Sequence, residues 1–181
     1  MPRILFPLTL LLTLFLGEPV AAHIEKQGMP DAVAQMEYQI LLEFEPDNLT
    51  VRNQLGMVYY RLEKYDEAAE QFNRVLTASP DNFDAIDGIG LLHLQAGRLA
   101  EAVQSFRRAI SLNPADPLVY SHLGLALERS GQSAPAREAY ARALDNLDAV
   151  PPDKMTEQLL AEKTLIQKRL RDLQPQPTAT P

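Results

Sequence analysis

The chain has 181 residues, a formal net charge of -7 and no cysteine. This length allows one domain with appendages, and a hydrophobic content of 46% is ample for a packed fold. An acidic chain without a basic tract lacks the electrostatic footprint of nucleic-acid binding. The absence of cysteine excludes a disulfide framework, a thiolate metal site and a cysteine nucleophile.

The first 22 residues have the pattern of an export signal. Arg3 supplies a positive charge, residues 4–16 form an apolar run, and Val20, Ala21 and Ala22 offer a signal-peptidase site. We therefore expect residues 1–22 to be removed, and an exported chain in the bacterial periplasm. An uncleaved membrane anchor is the alternative, although the apolar run is shorter than the roughly 20 residues that span a bilayer.

A linker and one helix follow in residues 23–48. The helix is predicted over Asp31–Phe44 and is apolar on two sides. One side contains Ala34, Tyr38 and Leu41, which can pack on the next helices. The other side consists of four apolar residues: Val33, Met36, Ile40 and Phe44. We expect this second side to be exposed and to be a candidate for self-association, because large exposed apolar patches mark association sites.

From residue 49 the sequence repeats with a step of 34 residues. Three glycines, three alanines and three aromatic residues keep this step: Gly56, Gly90, Gly124, Ala68, Ala102, Ala136, Phe72, Phe106 and Tyr140. A period in this range indicates stacked supersecondary units, here 49–82, 83–116 and 117–150. Ala34 and Tyr38 lie one step upstream, so Asp31–Phe44 is the second helix of a unit whose first helix is missing.

Each unit reads as two amphipathic helices. Asn48, Asn82 and Asp116 precede the first helices and are predicted to cap them through a side-chain oxygen. Gly97 and Gly131 stand where two of these helices should end in a left-handed conformation. The first unit has Glu63 at this place, which is a weaker stop.

Residues 151–173 form the last predicted element. After Pro151 and Pro152, residues 153–173 predict a long amphipathic helix that caps the stack. Its inward side is apolar: Met155, Leu159, Ile166, Leu170 and Leu173. A coiled-coil dimer strand is less favoured, because three heptads at most are available. Residues 174–181 are polar and rich in proline, and we expect them to be disordered.

These units resemble the tetratricopeptide repeat. The family pattern of L-G-x-x-Y, then A-x-x-x-F, then P is present as Leu55-Gly56-Met57-Val58-Tyr59, Ala68, Phe72 and Pro80. The second and third units keep the central glycine, alanine and aromatic residue, but His93 and Leu127 replace the tyrosine and Asp148 replaces the third proline. The resemblance implies an all-α fold, a right-handed α-solenoid of antiparallel helix hairpins.

The resemblance also implies a concave groove that binds a protein or peptide partner. Family positions that line the groove correspond here to these residues: Thr50, Asn53, Met57, Tyr60, Arg61, Asp84, Asp87, Leu91, Leu94, Gln95, Leu118, Ser121, Leu125, Glu128 and Arg129. Met57, Leu91 and Leu125 are expected to form an apolar line for the partner, unless some of them are ordinary packing residues. The subtype that clamps a C-terminal carboxylate is not supported, since Met57, Asp87 and Leu118 replace its polar and basic groups.

No enzyme site or cofactor site is predicted. Gly88 and Gly90 form a GxG, but the strand and third glycine of a phosphate loop are missing. His23, His93 and His122 have no metal-ligand spacing, so no metal site is expected, and His93 is predicted to be a packed ring with one hydrogen bond. We therefore predict a non-catalytic adaptor without a cofactor that assists assembly of an envelope complex. A scaffold that self-associates through Asp31–Phe44 is the alternative.

Overall fold

The computed structural model describes residues 30–174, and in this part of the chain it contains eight α-helices and one short 3₁₀ helix. The α-helices are α1 (Asp31–Phe44), α2 (Leu49–Arg61), α3 (Tyr65–Ala78), α4 (Phe83–Gln95), α5 (Leu99–Leu112), α6 (Pro117–Arg129), α7 (Ser133–Asp148) and α8 (Glu157–Asp172). The predicted signal peptide, its cleavage site and residues 175–181 lie outside the described residues. Among the described helices, none is both long and apolar enough to cross a membrane.

The predicted all-α fold is confirmed. Helices α2–α3, α4–α5 and α6–α7 form three antiparallel hairpins stacked side by side, and α1 is the second helix of an incomplete fourth hairpin. The predicted caps form as well. Asn48 Oδ1 accepts a hydrogen bond from Val51 N at 3.0 Å, and Asn82 Oδ1 accepts one from Ala85 N at 3.0 Å. Asp116 Oδ1 accepts from two backbone amides of α6.

The first helix of each hairpin ends in the same way. Gly97 and Gly131 have φ values of 72° and 77°, and Glu63 takes the equivalent place with a φ of 59°. Around Glu63 the backbone amides of residues 63 and 64 donate to the carbonyls of Tyr60 and Tyr59. This is the Schellman pattern, which satisfies the last carbonyls of a helix.

The core is built by an aromatic ring that packs against glycines of its own and the next hairpin. Phe72 is fully buried, and a Cβ built on Gly56 or on Gly88 would lie 2.6 or 2.4 Å from its ring. Phe106 and Tyr140 cover Gly90 and Gly124 in the same way. Helices can approach this closely only where no side chain stands between them. The predicted close packing of glycine and aromatic residues is therefore confirmed.

Helix α8 packs on α7 at the end of the stack, as predicted for a cap. Ile166 is fully buried, and Leu159, Leu170 and Leu173 pack against the same core. The helix begins at Glu157 rather than at Asp153, because residues 152–154 form a 3₁₀ turn. Thr156 then caps α8 by accepting a hydrogen bond from Leu159 N at 3.2 Å.

Candidate functional site

A cleft of about 340 Å³ opens between α1, α2 and the start of α4. We call it the α2–α4 cleft. Six of the residues that line it were predicted for the groove: Thr50, Asn53, Met57, Arg61, Asp84 and Asp87. Three more were not predicted: Tyr38, Gln54 and Val58. The stacking of α1, α2 and α4 thus brings part of the predicted groove together in one open site.

The apolar side of the cleft comes from α1 and α2. Tyr38 is 9% exposed and Val58 is 1% exposed, so both are held firmly by the core. Met57 is half-buried and packs against the same core. Arg61 stands beside them and is held by Asp31, whose Oδ1 accepts hydrogen bonds from Arg61 Nε and Nη2 at 2.8 and 2.6 Å. An apolar side chain of a partner would find a fixed surface here.

The acidic side comes from α4. Asp87 Oδ1 lies 2.9 Å from His122 Nδ1, so this carboxylate is already paired. Asp84 has no cation within ion-pair distance among residues 30–174. Partial burial, together with the neighbouring charges of Asp87 and Asp116, raises the pKa of Asp84. The charged form of Asp84 is therefore poorly compensated in the free protein.

Two buried acceptors in the cleft lack a partner. Asn53 is 5% exposed, and its Nδ2 donates to Asn82 Oδ1 at 2.9 Å. Its Oδ1 accepts no hydrogen bond from the described residues, and the same holds for Gln54 Oε1. Buried polar atoms are nearly always hydrogen-bonded, because leaving one unpaired costs about 1–3 kcal/mol. Unpaired acceptors that line an open cleft therefore indicate a place for an N–H donor.

The internal repeat explains why Asn53 Oδ1 has no partner. One step of 34 residues further on, Asp87 takes the place of Asn53 and pairs with His122. The residue that takes the place of His122 in the preceding hairpin is Gly88, which has no side chain. Phe72 covers Gly88 so closely that no side chain could stand there. The contact that joins hairpins two and three is thus missing between hairpins one and two.

The expectation of an open apolar line through all three hairpins is wrong at its centre. Leu91 and Leu94 are 7% and 4% exposed and belong to the core cluster that joins the hairpins. Tyr60 and Leu125 are half-buried and pack against that cluster. These side chains fill the seam between neighbouring first helices, because stacked repeats bury a continuous core. Asn53 and Ser121 are also buried rather than open.

Helix α8 covers the predicted groove of the third hairpin. Ser121 Oγ donates to a carboxylate oxygen of Glu162, and Glu128 Oε2 accepts from Arg169 Nη1 at 2.9 Å. Arg129 donates to the Leu94 carbonyl at 3.4 Å. Ser121, Glu128 and Arg129 are thus engaged within the chain. Of the remaining predicted residues, Leu118 is half-buried, and the exposed Gln95 lines another cleft.

Tyr38 could have been found from the sequence. It keeps the step of 34 residues to Phe72, and that aromatic position borders the following hairpin. Tyr38 must therefore stand next to α2, where the cleft begins. Gln54 and Val58 gave no such signal, since their positions are packing positions in the resemblance.

A second cleft, of about 540 Å³, lies between α3 and α4. Tyr65, Asn73, Ile89 and His93 are among its lining residues. His93 Nδ1 accepts a hydrogen bond from Arg98 Nε at 3.1 Å, which is the single hydrogen bond predicted for this ring. Neither of the two unpaired buried acceptors lies here. The larger cleft therefore carries less evidence for a ligand than the α2–α4 cleft.

The predicted apolar stripe on α1 is exposed. Val33, Met36, Ile40 and Phe44 are 49%, 63%, 51% and 80% exposed. We call these four residues the outer α1 stripe. Residues one, two and three steps of 34 after Val33, Met36 and Ile40 are polar, charged or proline, and all are exposed: Glu67, Glu101, Pro135, Glu70, Gln104, Glu138, Arg74, Arg108 and Arg142. The stripe thus stands on the outer face of the stack, where the other hairpins meet solvent.

Comparison with known families finds the repeat twice. A tetratricopeptide repeat model matches residues 50–82, and a TPR repeat model matches residues 90–131. Both matches fall within the three hairpins. No curated protein matches the chain at a significant level.

Several solved structures share the fold. MamA AMB-1 is 28% identical, with a TM-score of 0.53 over 64% of this chain and 69% of that chain. The type III secretion translocator chaperone SycD of Yersinia enterocolitica is 19% identical, with a TM-score of 0.62 over 70% of this chain and 92% of that chain. PcrH, in complex with the chaperone binding region of PopD, is 19% identical, with a TM-score of 0.61 over 71% and 92%.

Proposed function

We propose that this chain, a tetratricopeptide-repeat protein, is a non-catalytic adaptor that binds a segment of a partner protein in the α2–α4 cleft. The observation that carries the proposal is an open cleft with an apolar side and two buried acceptors without a partner. Tyr38, Met57 and Val58 would bury an apolar side chain of the segment. Asn53 Oδ1 and Gln54 Oε1 would accept hydrogen bonds from its N–H groups.

Proteins of the same fold support this proposal. SycD has been solved in complex with a peptide of the translocator YopD, and PcrH with the chaperone binding region of PopD. In both proteins the fold holds a segment of another protein. We extend this mode of binding to the chain as part of the proposal, since at these identities the likeness itself is one of fold.

We further propose that the adaptor acts in the bacterial periplasm, where it assists assembly of an envelope complex. The export pattern of residues 1–22 supports this location. Osmotic-shock fractionation followed by N-terminal sequencing tests it. We expect the chain in the periplasmic fraction with His23 as its first residue. Recovery of the uncleaved chain with the membrane would favour the anchor instead.

Site-specific photo-crosslinking in cells tests the adaptor function. A photoreactive amino acid is placed at Thr50, which is exposed and lines the cleft. The matched control is Thr77, an exposed threonine on α3 that does not line it. We expect a protein to be crosslinked from position 50 and not from position 77.

The crosslinked protein is then purified and its affinity measured by calorimetry. Thr50→Trp should block the cleft and weaken binding at least tenfold, whereas Thr77→Trp should leave the affinity unchanged. Thr50 is exposed, so its replacement should not disturb the fold. Equal affinity of the two variants would contradict binding in the cleft.

A second candidate function is a scaffold that self-associates through the outer α1 stripe. The observation that favours it is the replacement of polar and charged residues by Val33, Met36 and Ile40 on the outer face. The stripe lies opposite the buried residues Ala34 and Tyr38, so a second copy could pack there without disturbing the stack.

Light scattering after size exclusion tests the scaffold. Glu37 and Glu43 flank the stripe, so two paired copies would bring four carboxylates together, and salt that screens them should strengthen the association. Ile40→Glu with Phe44→Glu should give a monomer. The control is Arg74→Glu, at the position equivalent to Ile40 on α3. A wild-type protein that is already a monomer at high salt would rule out this function.

A further inference from the structure

The α2–α4 cleft carries information about the chemistry of its ligand, if the adaptor function proposed above holds. Between hairpins two and three, the place of the Asn53 acceptor is taken by a carboxylate of Asp87, which is paired with the ring nitrogen of His122. Between hairpins one and two, Gly88 supplies no side chain, so Asn53 Oδ1 is buried and unpaired. The group that is missing from the fold at this place is an N–H donor.

The charge around the cleft narrows the kind of donor. Arg61 is bound to Asp31, and Asp87 is bound to His122, so these four groups largely neutralise one another. Asp84 remains as a carboxylate without a cation within ion-pair distance among the described residues. A neutral donor would satisfy Asn53 Oδ1 but would leave Asp84 uncompensated. A carboxylate ligand would be repelled.

The geometry points to a binding site for an arginine or lysine side chain of the partner segment, formed by Asn53 and Asp84. Both residues line the same cleft, next to the apolar side made by Tyr38, Met57 and Val58. A guanidinium or ammonium group carries several N–H donors and a positive charge. It can therefore donate to Asn53 Oδ1 and compensate Asp84 at the same time, while its aliphatic stem lies on the apolar side.

This inference makes the adaptor selective. The segment that binds must combine an apolar residue with a nearby basic residue. Hydrogen bonds to a charged group contribute about 1.5–3 kcal/mol, which corresponds to about tenfold to a hundredfold in affinity. Removal of the Asp84 charge should therefore cost at least about tenfold in affinity for a basic segment.

Affinity selection from a synthetic peptide mixture tests the inference. The probe is a random mixture of nonapeptides whose N-termini are acetylated and whose C-termini are amidated, so that a cation can come only from a side chain. The purified protein is incubated with the mixture, and the peptides that it retains are sequenced by mass spectrometry. Selected peptides are then measured one by one.

Four variants accompany the wild-type protein. Asp84→Asn keeps the size of the side chain and removes its charge, and Asp84→Lys reverses the charge. Asp66→Asn is the matched control, an exposed aspartate in the first turn of α3 that does not line the cleft. Thr50→Trp blocks the cleft as a whole. Circular dichroism melts confirm that each variant is folded.

We expect the wild-type protein and Asp66→Asn to retain peptides enriched in arginine or lysine. Asp84→Asn should bind these peptides about tenfold more weakly, and Asp84→Lys should select glutamate or aspartate instead. Peptides that are lost with Thr50→Trp but show no basic enrichment and no effect of Asp84→Asn would overturn this inference and leave the adaptor function intact. Retention of the same peptides by Thr50→Trp, or of no peptide by the wild type, would overturn both.

Discussion

The three residues that end the first helices show how one position sets a local cost. Glu63, Gly97 and Gly131 stand at equivalent places in the repeat, and all three have a positive φ. A residue with a Cβ pays about 1–2 kcal/mol for this conformation, whereas glycine adopts it without that cost. Nothing within 4 Å would contact a Cβ at Gly97 or Gly131, so the backbone rather than packing favours glycine there.

Glu63→Gly should therefore stabilise the protein. The gain from relief of the left-handed conformation is partly offset by the greater freedom of glycine in the unfolded chain, which leaves about 0.5–1 kcal/mol. Urea unfolding followed by circular dichroism measures the change. Glu67→Gly, in the first turn of α3, should instead lower the free energy of unfolding by up to about 1 kcal/mol. If both substitutions destabilise equally, the strain at Glu63 has been overestimated.

Gly90 is needed for a different reason, which is space. A Cβ at this position would lie 2.5 Å from Cε1 of Phe106, a fully buried ring. Gly90→Ala should lower the free energy of unfolding by about 1–3 kcal/mol, and Gly90→Leu by more. Thermal unfolding measures both. The exposed Gln104→Ala should change stability by less than about 0.5 kcal/mol.

A double-mutant cycle separates this clash from a general loss of helix packing. Phe106→Leu makes room beside Gly90, so the cost of Gly90→Ala should be smaller in the Phe106→Leu background. Additive effects of the two substitutions would contradict the proposed contact.

At the scale of elements, α8 both completes the core and closes part of the groove. It is joined to the third hairpin through Glu162 and Arg169, which bind Ser121 and Glu128 of α6. Glu128 Oε2 also accepts a hydrogen bond from the Tyr140 hydroxyl at 2.7 Å, so three helices meet at one carboxylate. Burial, followed by the hydrogen bond to Glu128, raises the pKa of the Tyr140 hydroxyl, which therefore stays protonated.

Ile166 should be the residue through which α8 stabilises the stack. It is fully buried in the core cluster that contains Tyr140 and Leu147, whereas its neighbour Leu165 is 42% exposed. Ile166→Ala should lower the free energy of unfolding by about 2–5 kcal/mol. Leu165→Ala should cost less than about 0.5 kcal/mol in the same urea titration. A similar loss for both variants would mean that α8 is not docked as described.

At the scale of the whole molecule, the sequence predicted the fold better than the site. A period of 34 residues marks every hairpin, because each must bury the same glycine, alanine and aromatic contact. It also placed α1, whose bounds agree with the prediction. The groove residues were harder, since a repeat position does not tell which side chains the neighbouring hairpin covers. Leu91 is buried in the seam, and Ser121 is bound to α8, which lies outside the repeat.

The contact between Asp87 and His122 should make the stability of the whole stack depend on pH. Burial disfavours the charged ring of His122, but Asp87, Glu162 and Asp116 together outweigh burial and raise the pKa of His122 above its usual value of 6.5. The folded state therefore binds the proton more tightly than the unfolded state. Its stabilising effect is complete below pH 6.5 and is lost as the pH rises through the raised pKa.

His122→Gln should remove this dependence. Urea unfolding of both proteins at a series of pH values gives the difference in the free energy of unfolding, in which groups common to both cancel. We expect the advantage of the wild type to be largest near pH 6 and to decrease towards pH 9. His93→Gln is the control of opposite sign, because burial and then Arg98 lower the pKa of His93, so that its protonation on acidification destabilises the fold. An advantage over His122→Gln that stays constant with pH would show that His122 binds no proton on folding.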